Sequence, residues 1–133
     1  MAATCLVSRV HHLDRVVGHI SDRAIRQHGL TSFQLTLLVA VELAGPIAAP
    51  DLGRGFALER STVCRNLARL ASAKLLETGA EVRITPRGSA LIRACHEAWR
   101  AAQREASERL GPDLVRVLSA FEKEQRHAGN TGG

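Results

Sequence analysis

Between residues 77 and 88 the chain reads ETGAEVRITPRG, and what flanks that stretch limits the fold more than any other feature. Val82 and Ile84 alternate with Arg83 and Thr85 behind a Thr78-Gly79 turn, the period-two pattern of a small hairpin. Just before it, LERSTVCRNLARL (58–70) spaces its apolar residues at the helical period. Just after it, Thr85 supplies an N-cap and Pro86 stands at the first helical position, opening a long helix through Leu110. A short helix near 49–56, a tight turn, a basic helix from Glu59 to about Lys74 and then a hairpin spell a winged helix-turn-helix.

The rest of the chain repeats at the helical period. Leu6, Val10, Leu13, Val17, Ile20 and Ala24 form one stripe, so residues 4–28 are expected as a long amphipathic helix ended near Gly29. Thr31 and Gln34 have capping-box spacing, and Gly45-Pro46 is a stop, which brackets a second, largely buried helix at 32–44. Leu110-Gly111-Pro112 breaks the long helix, and a last helix carries Leu114, Leu118 and Phe121 on one face to about Gln125. The closing RHAGNTGG (126–133) is expected to be disordered. The fold class is therefore mainly α with a small β-wing: one domain over 1–125, with the winged helix-turn-helix at 32–85 between long helices at 4–28 and 86–125. Their apolar stripes exceed what so small a winged core can cover, which points to a homodimer.

With 133 residues and a formal charge of +5, the chain has room for one domain and favours a polyanionic partner. All but Lys74 and Lys123 of its eighteen basic residues are arginine. Ser8, Arg9, His11, His12, Asp14 and Arg15 interrupt the N-terminal apolar residues, so neither a signal peptide nor a membrane span is expected. Cys5, Cys64 and Cys95 are odd in number and form no CxxC pair, which suits a reducing, cytoplasmic setting.

On the basic helix, at about 100° per residue, Val63, Leu67, Leu70 and Ala71 share one side. Ser61, Arg65, Ala68 and Ser72 lie opposite, with Thr62 and Arg69 beside them. The outward face is small and basic: hydroxyls and amides at its N-terminal end suit phosphates, and arginine forks suit guanine edges or phosphates. A solvated charged face is the plainer alternative.

The stretches HGLTSFQLTLLVAV, LERSTVCRNLARLASAKLLE and ITPRGSALI, flanked by long helices, resemble the MarR (multiple antibiotic resistance regulator) family of bacterial winged-helix repressors over roughly residues 6–125. The resemblance implies a homodimer whose terminal helices intertwine while each subunit offers one recognition helix to half of a pseudo-palindromic duplex operator. By position, Ser61, Thr62, Arg65 and Asn66 match the family's recognition helix, and Arg60 and Arg69 extend its basic face. Thr85, Pro86 and Gly88 match the junction of wing and dimer helix. Two departures stand out: the short wing lacks the family's Asp-x-Arg element, leaving Arg83 as the hairpin's own arginine, and Glu59 stands where an N-cap aspartate is usual.

Cys5, His12 and His19 recur every seventh residue along the first helix. Neighbours on that strip stand about 10.5 Å apart, too far for one metal with ligand bonds near 2 Å, so metal binding would need two strips meeting across a dimer. Cys5 also occupies a place comparable to the N-terminal oxidant-sensing cysteine of some relatives, with Arg9 one turn on. Cys64 and Cys95 are expected to be small buried residues, leaving Cys5 as the reactive thiol. Trp99 and Ile92 add bulk where the family binds small aromatic acids. No paired carboxylates, nucleophile-base set or phosphate-binding glycine loop stands at useful spacing, so neither an enzyme nor a resident cofactor is expected. The expected function is a DNA-binding regulator, a repressor released by a ligand, metal or oxidant; the alternative is a winged-helix module that binds a protein partner without specific DNA binding.

Overall fold

The computed structural model describes residues 5–56 and 59–130. Helix α1 (Leu6–Ile25) continues into one 3₁₀ turn (Arg26–His28), and Gly29, at φ 76°, ends it with a left-handed residue that only glycine adopts without cost. Helix α2 (Ser32–Ala44) starts on the expected capping box: Gln34 N–H donates to Thr31 Oγ1 and Thr31 N–H donates to Gln34 Oε1, both at 3.1 Å. Helices α3 (Ala49–Phe56) and α4 (Arg60–Ser72) follow, then strands β1 (Leu76–Glu77) and β2 (Arg83–Ile84), the long helix α5 (Pro86–Leu110) and α6 (Pro112–Asn130).

The winged unit owns the main core. Leu35, Leu37, Leu38 and Val41 of α2 pack with Leu52, with Val63, Leu67 and Leu70 of α4, and with Leu75, Leu76, Val82 and Cys95. A second, smaller cluster joins Ile20 of α1 to Ala102 and Ala106 of α5, small residues one turn apart that let the two helices approach closely. Arg23 and Glu105, 2.9 Å apart, close the rim of that contact.

The wing is a minimal antiparallel ladder, Leu76 opposite Ile84 and Glu77 opposite Arg83. Period-two alternation holds, with Val82 buried, Arg83 exposed and Ile84 half-buried. A third rung was not legible in sequence: Ile47 and Val82 exchange both backbone hydrogen bonds (3.1 and 2.7 Å), sewing the segment after α2 to the wing. Below the wing, the Thr85 hydroxyl accepts from Gly88 N–H at 3.0 Å and lies 2.8 and 3.0 Å from the Lys74 and Leu75 carbonyls. Lys74 itself turns the chain out of α4 at a positive φ of 62°, a conformation uncommon for a residue with a Cβ.

One boundary needs correction. The last helix does not stop near Gln125, and residues 126–130 are not a disordered tail: α6 runs to Asn130, while 131–133 lie outside the described residues. The Arg126–Glu122 pair and the His127 ring, 2.8 Å from the Lys123 carbonyl, link successive turns, and Gly129 does not take the left-handed conformation that would end them. The terminal helices also leave apolar surface open within one chain: Leu6, Val7 and Val10 are 72, 61 and 52% exposed, and Val117 and Phe121 are 63 and 59% exposed.

Gly88 is the tightest point of the wing junction. A Cβ there would overlap the Leu75 carbonyl oxygen and sit 2.8 Å from Ile84 Cδ1, with backbone on one side and a packed side chain on the other. Gly88→Ala should therefore destabilise the fold by about 2–3 kcal/mol, read as a lower midpoint in urea denaturation. A wild-type midpoint would mean that the junction is looser than its geometry.

Candidate nucleic-acid interface

Helix α4 is oriented by what it buries. Val63, Leu67 and Leu70 are 1, 3 and 2% exposed in the core, so the helical period turns Ser61, Arg65, Ala68 and Ser72 to solvent. The segment RSTVCRNLARLAS contains no acidic residue. Among the described residues Arg23, Arg54, Arg83, Arg116 and Arg126 each face a carboxylate, whereas Arg15, Arg26, Arg87, Arg93, Arg100, Arg104 and Arg109 do not. Among the described residues, no such partner meets Arg60, Arg65 or Arg69, all three exposed. Glu59 occupies the N-cap in extended conformation, but its side chain makes no capping hydrogen bond, so the first amides of α4 keep no side-chain cap.

Not every sequence candidate joins this face. Asn66 is turned inward: its Nδ2 donates to the Thr62 carbonyl at 2.9 Å and its Oδ1 accepts from Gln34 Nε2 at 3.3 Å. At about 65° from the centre of the buried stripe on a 100° wheel, it sits on the border of the core and follows the partner available there. Thr62 is half-buried beside it. Arg83 is exposed on the wing but lies 3.4 Å from Glu81, which offsets its charge on the spot. Ser61, Arg65 and Arg69 thus make the outward set, with Arg60 exposed beside it at the start of the helix. Gln34 is the residue that sequence reasoning missed; its capping-box role was visible, but its bond to a residue 32 positions away was not.

Three further surfaces frame the interface. Arg54, Arg60 and Cys64 line a cavity between α3 and α4. His28, Arg69 and Arg87 rim a second one floored by Leu30, Leu70 and Leu91. Leu35, Val39, Ile92, Cys95, His96 and Trp99 enclose about 180 Å³ where α5 passes α2, below the roughly 300–1,000 Å³ usual for drug-sized ligands. On α1, His12 and His19 line one groove with Arg15, Arg23 and Arg109 and without Cys5, a lining that repels cations. Among the described residues no group of three or more His, Cys, Asp or Glu side chains could hold a metal ion. None of the described helices is long and apolar enough to cross a membrane.

The cysteines depart from expectation. Cys95 is buried, as its place on the α5 stripe predicts, and burial pushes its thiol pKa up. Cys64 is exposed, because it lies about 90° from the centre of the stripe that Val63 and Leu67 bury, beyond the edge of the core. Cys5 is exposed too.

No family profile matches the chain, and no curated protein matches it in sequence. Solved structures do match it in shape. A cysteine-to-serine variant of MarR from E. coli, complexed with operator DNA, superimposes at a TM-score of 0.77 with 20% identity, over 90% of this chain and 91% of that one. The M. tuberculosis transcriptional regulator MosR gives 0.78 and 24% over 93% and 97%. Bordetella bronchiseptica BpsR, whose DNA binding is regulated by 6-hydroxynicotinic acid, gives 0.79 and 20% over 92% and 95%. The fold is the MarR-type winged helix, small two-stranded wing included.

Under native conditions a thiol reagent should modify Cys5 and Cys64 and spare Cys95 until the chain unfolds, as peptide mapping by mass spectrometry would show. The neutral Cys95 thiol gives a matching pH signature. The native state holds that proton longer than the unfolded chain, so its contribution to stability is complete below the unfolded thiol's pKa of about 8.5 and is lost as pH rises through the raised native value. Rapid native labelling of Cys95 would contradict its burial.

Proposed function

We propose that this chain is a homodimeric, sequence-specific DNA-binding transcriptional regulator, and not an enzyme. One observation carries the reading: a recognition-type helix with no acidic residue, held by its apolar stripe so that Arg65 and Arg69 stand outward, with Arg60 exposed at its first turn, none of the three having a carboxylate partner among the described residues. Such a face gains most from a phosphate-lined groove, where guanidinium forks meet phosphate oxygens or the O6 and N7 of guanine. The MarR-type fold supports it, since E. coli MarR with that fold is known in complex with operator DNA.

The dimer is supported by the open apolar faces of α1 and α6, which a second copy would cover and which a symmetric operator would require. A repressor released by a small-molecule or oxidant signal fits the rest. The small apolar cavity at Trp99 and the exposed thiols of Cys5 and Cys64 are the features that could receive such signals. The arginine-lined surroundings of His12 and His19 argue against a metal signal read within one subunit. The paired Arg83 and short wing move recognition onto α4, with little left for the minor groove.

Selection from a random duplex pool should yield a pseudo-palindromic site, bound with an affinity that falls steeply as salt rises. Arg65→Ala should weaken binding to that site at least about tenfold, because a lost base-edge fork costs about 1–3 kcal/mol and a symmetric dimer loses two. Arg93→Ala, exposed on α5 away from this face, should do far less. Sedimentation should give twice the 14.4 kDa chain mass. A salt-insensitive protein whose Arg65→Ala variant behaves as wild type would favour the protein-interaction module instead.

A further inference from the structure

A line of hydrogen bonds crosses the winged unit from the start of α2 to the border of the α4 face. Thr31 N–H donates to Gln34 Oε1 (3.1 Å), Gln34 Nε2 donates to Asn66 Oδ1 (3.3 Å), and Asn66 Nδ2 donates to the Thr62 carbonyl (2.9 Å). Both ends dictate its direction. The Thr31 amide can only donate, so it takes the glutamine oxygen; the Thr62 carbonyl can only accept, so it takes the asparagine nitrogen. Gln34 is 9% exposed and is, with Ser21, one of two buried polar residues among those described. An unmet amide at that depth is costly, which keeps the line intact. Behind it α2 is itself anchored, since Ser32 N–H donates to Asp22 Oδ1 of α1 at 2.6 Å.

Asn66 stands on the border between the buried stripe and the arginine face, so its side chain could serve either. An outward asparagine is a strong reader of adenine, pairing with N6 and N7 together. Its inward turn removes that option and gives α4 a polar stop against rotation that the apolar stripe alone does not supply. The stop matters because a rotation of about 10° moves groups at the helix surface, roughly 5–6 Å from the axis, by about 1 Å.

We infer that Gln34 is a positioning and specificity-determining residue: through Asn66 it sets the rotation of α4 and withholds the Asn66 amide from DNA, leaving base recognition to Arg65 and Arg69. The inference rests on the DNA-binding reading and goes beyond it by naming a residue that never touches DNA. It separates Gln34 from a plain capping role, because the capping box needs only the glutamine oxygen while the tether uses its nitrogen.

The test uses the full-length protein and the duplex site that wild type selects from a random pool. Gln34→Met and Asn66→Ala should each lower affinity for that site about three- to tenfold, and the double variant should be no weaker than the weaker single, since both break one link. In a fresh selection, Gln34→Met, with Asn66 released, should gain a preference for adenine beside the wild-type contacts, while Asn66→Ala should gain none. A merely structural role would lower the melting temperature without altering base preference. Additive losses, or altered base preference in Asn66→Ala alone, would overturn the inference, as would unchanged affinity and motif in Gln34→Met. Should Gln34→Met fail to fold, Gln34→Glu, which keeps the capping oxygen but cannot donate to Asn66, takes its place in both readouts. A wild type that selects no motif would remove the DNA-binding reading and this inference together, a result distinct from a wild-type motif that both variants share at full affinity.

Discussion

The burial of Val63, Leu67 and Leu70 against the apolar face of α2 is the contact on which the rest of this molecule depends. A helix with 3.6 residues per turn presents whichever face lies opposite its packed one, to within the small rotation that apolar contacts alone still allow. Burying those three residues aims Arg65 and Ser61 at solvent, puts Arg69 on the same exposed side, and leaves Asn66 and Cys64 on the two borders. Electrostatics follows from packing here. Arg65 and Arg69 face solvent because the stripe is inside, and no acid on α4 itself offsets them.

The second constraint is the junction beneath the wing. Thr85 caps α5, holds Gly88 N–H and reaches back to the carbonyls just after α4, so α4, the wing and α5 meet at one hydrogen-bonded corner. The Thr85 amide adds a further bond to the Leu75 carbonyl at 3.2 Å. Gly88 is small because that corner has no space, and Lys74 accepts a left-handed backbone because the chain must reverse there within two residues. A displacement of α5 would therefore reach α4 through short bonds rather than through a flexible loop.

The unspent surface falls into two kinds with different physical uses. Apolar residues are open on α1 and α6, where area removed from water would drive association. Unpaired guanidinium groups are open on α4, where counterion release from a polyanion would drive it. The two lie on different elements, so covering one does not consume the other. The wing contributes little to either, with strands of two residues and an arginine held by Glu81.

Sequence by itself determined what depends on neighbours within a turn or two: the helical periods, the Thr31–Gln34 box, the Thr85-Pro86 start, the glycine stops at Gly29, Gly45 and Gly111, and the alternation of Val82, Arg83 and Ile84. The direction of Arg65 was legible for the same reason, since one helix's own periodicity decides it. Local signals also misled at their weak points, as where the glycine-bearing end of α6 read as a stop although intrahelical pairs carry it on to Asn130. Only the tertiary structure decided the border residues and the distant pairs. Asn66 turns inward because α2 brings Gln34 to it, Cys64 stays exposed where it lines the cavity between α3 and α4, and Ile47 finds Val82 across the wing. Each of these depends on how two elements far apart in the chain are docked, and residue spacing along one helix contains no record of which neighbour will arrive at its edge.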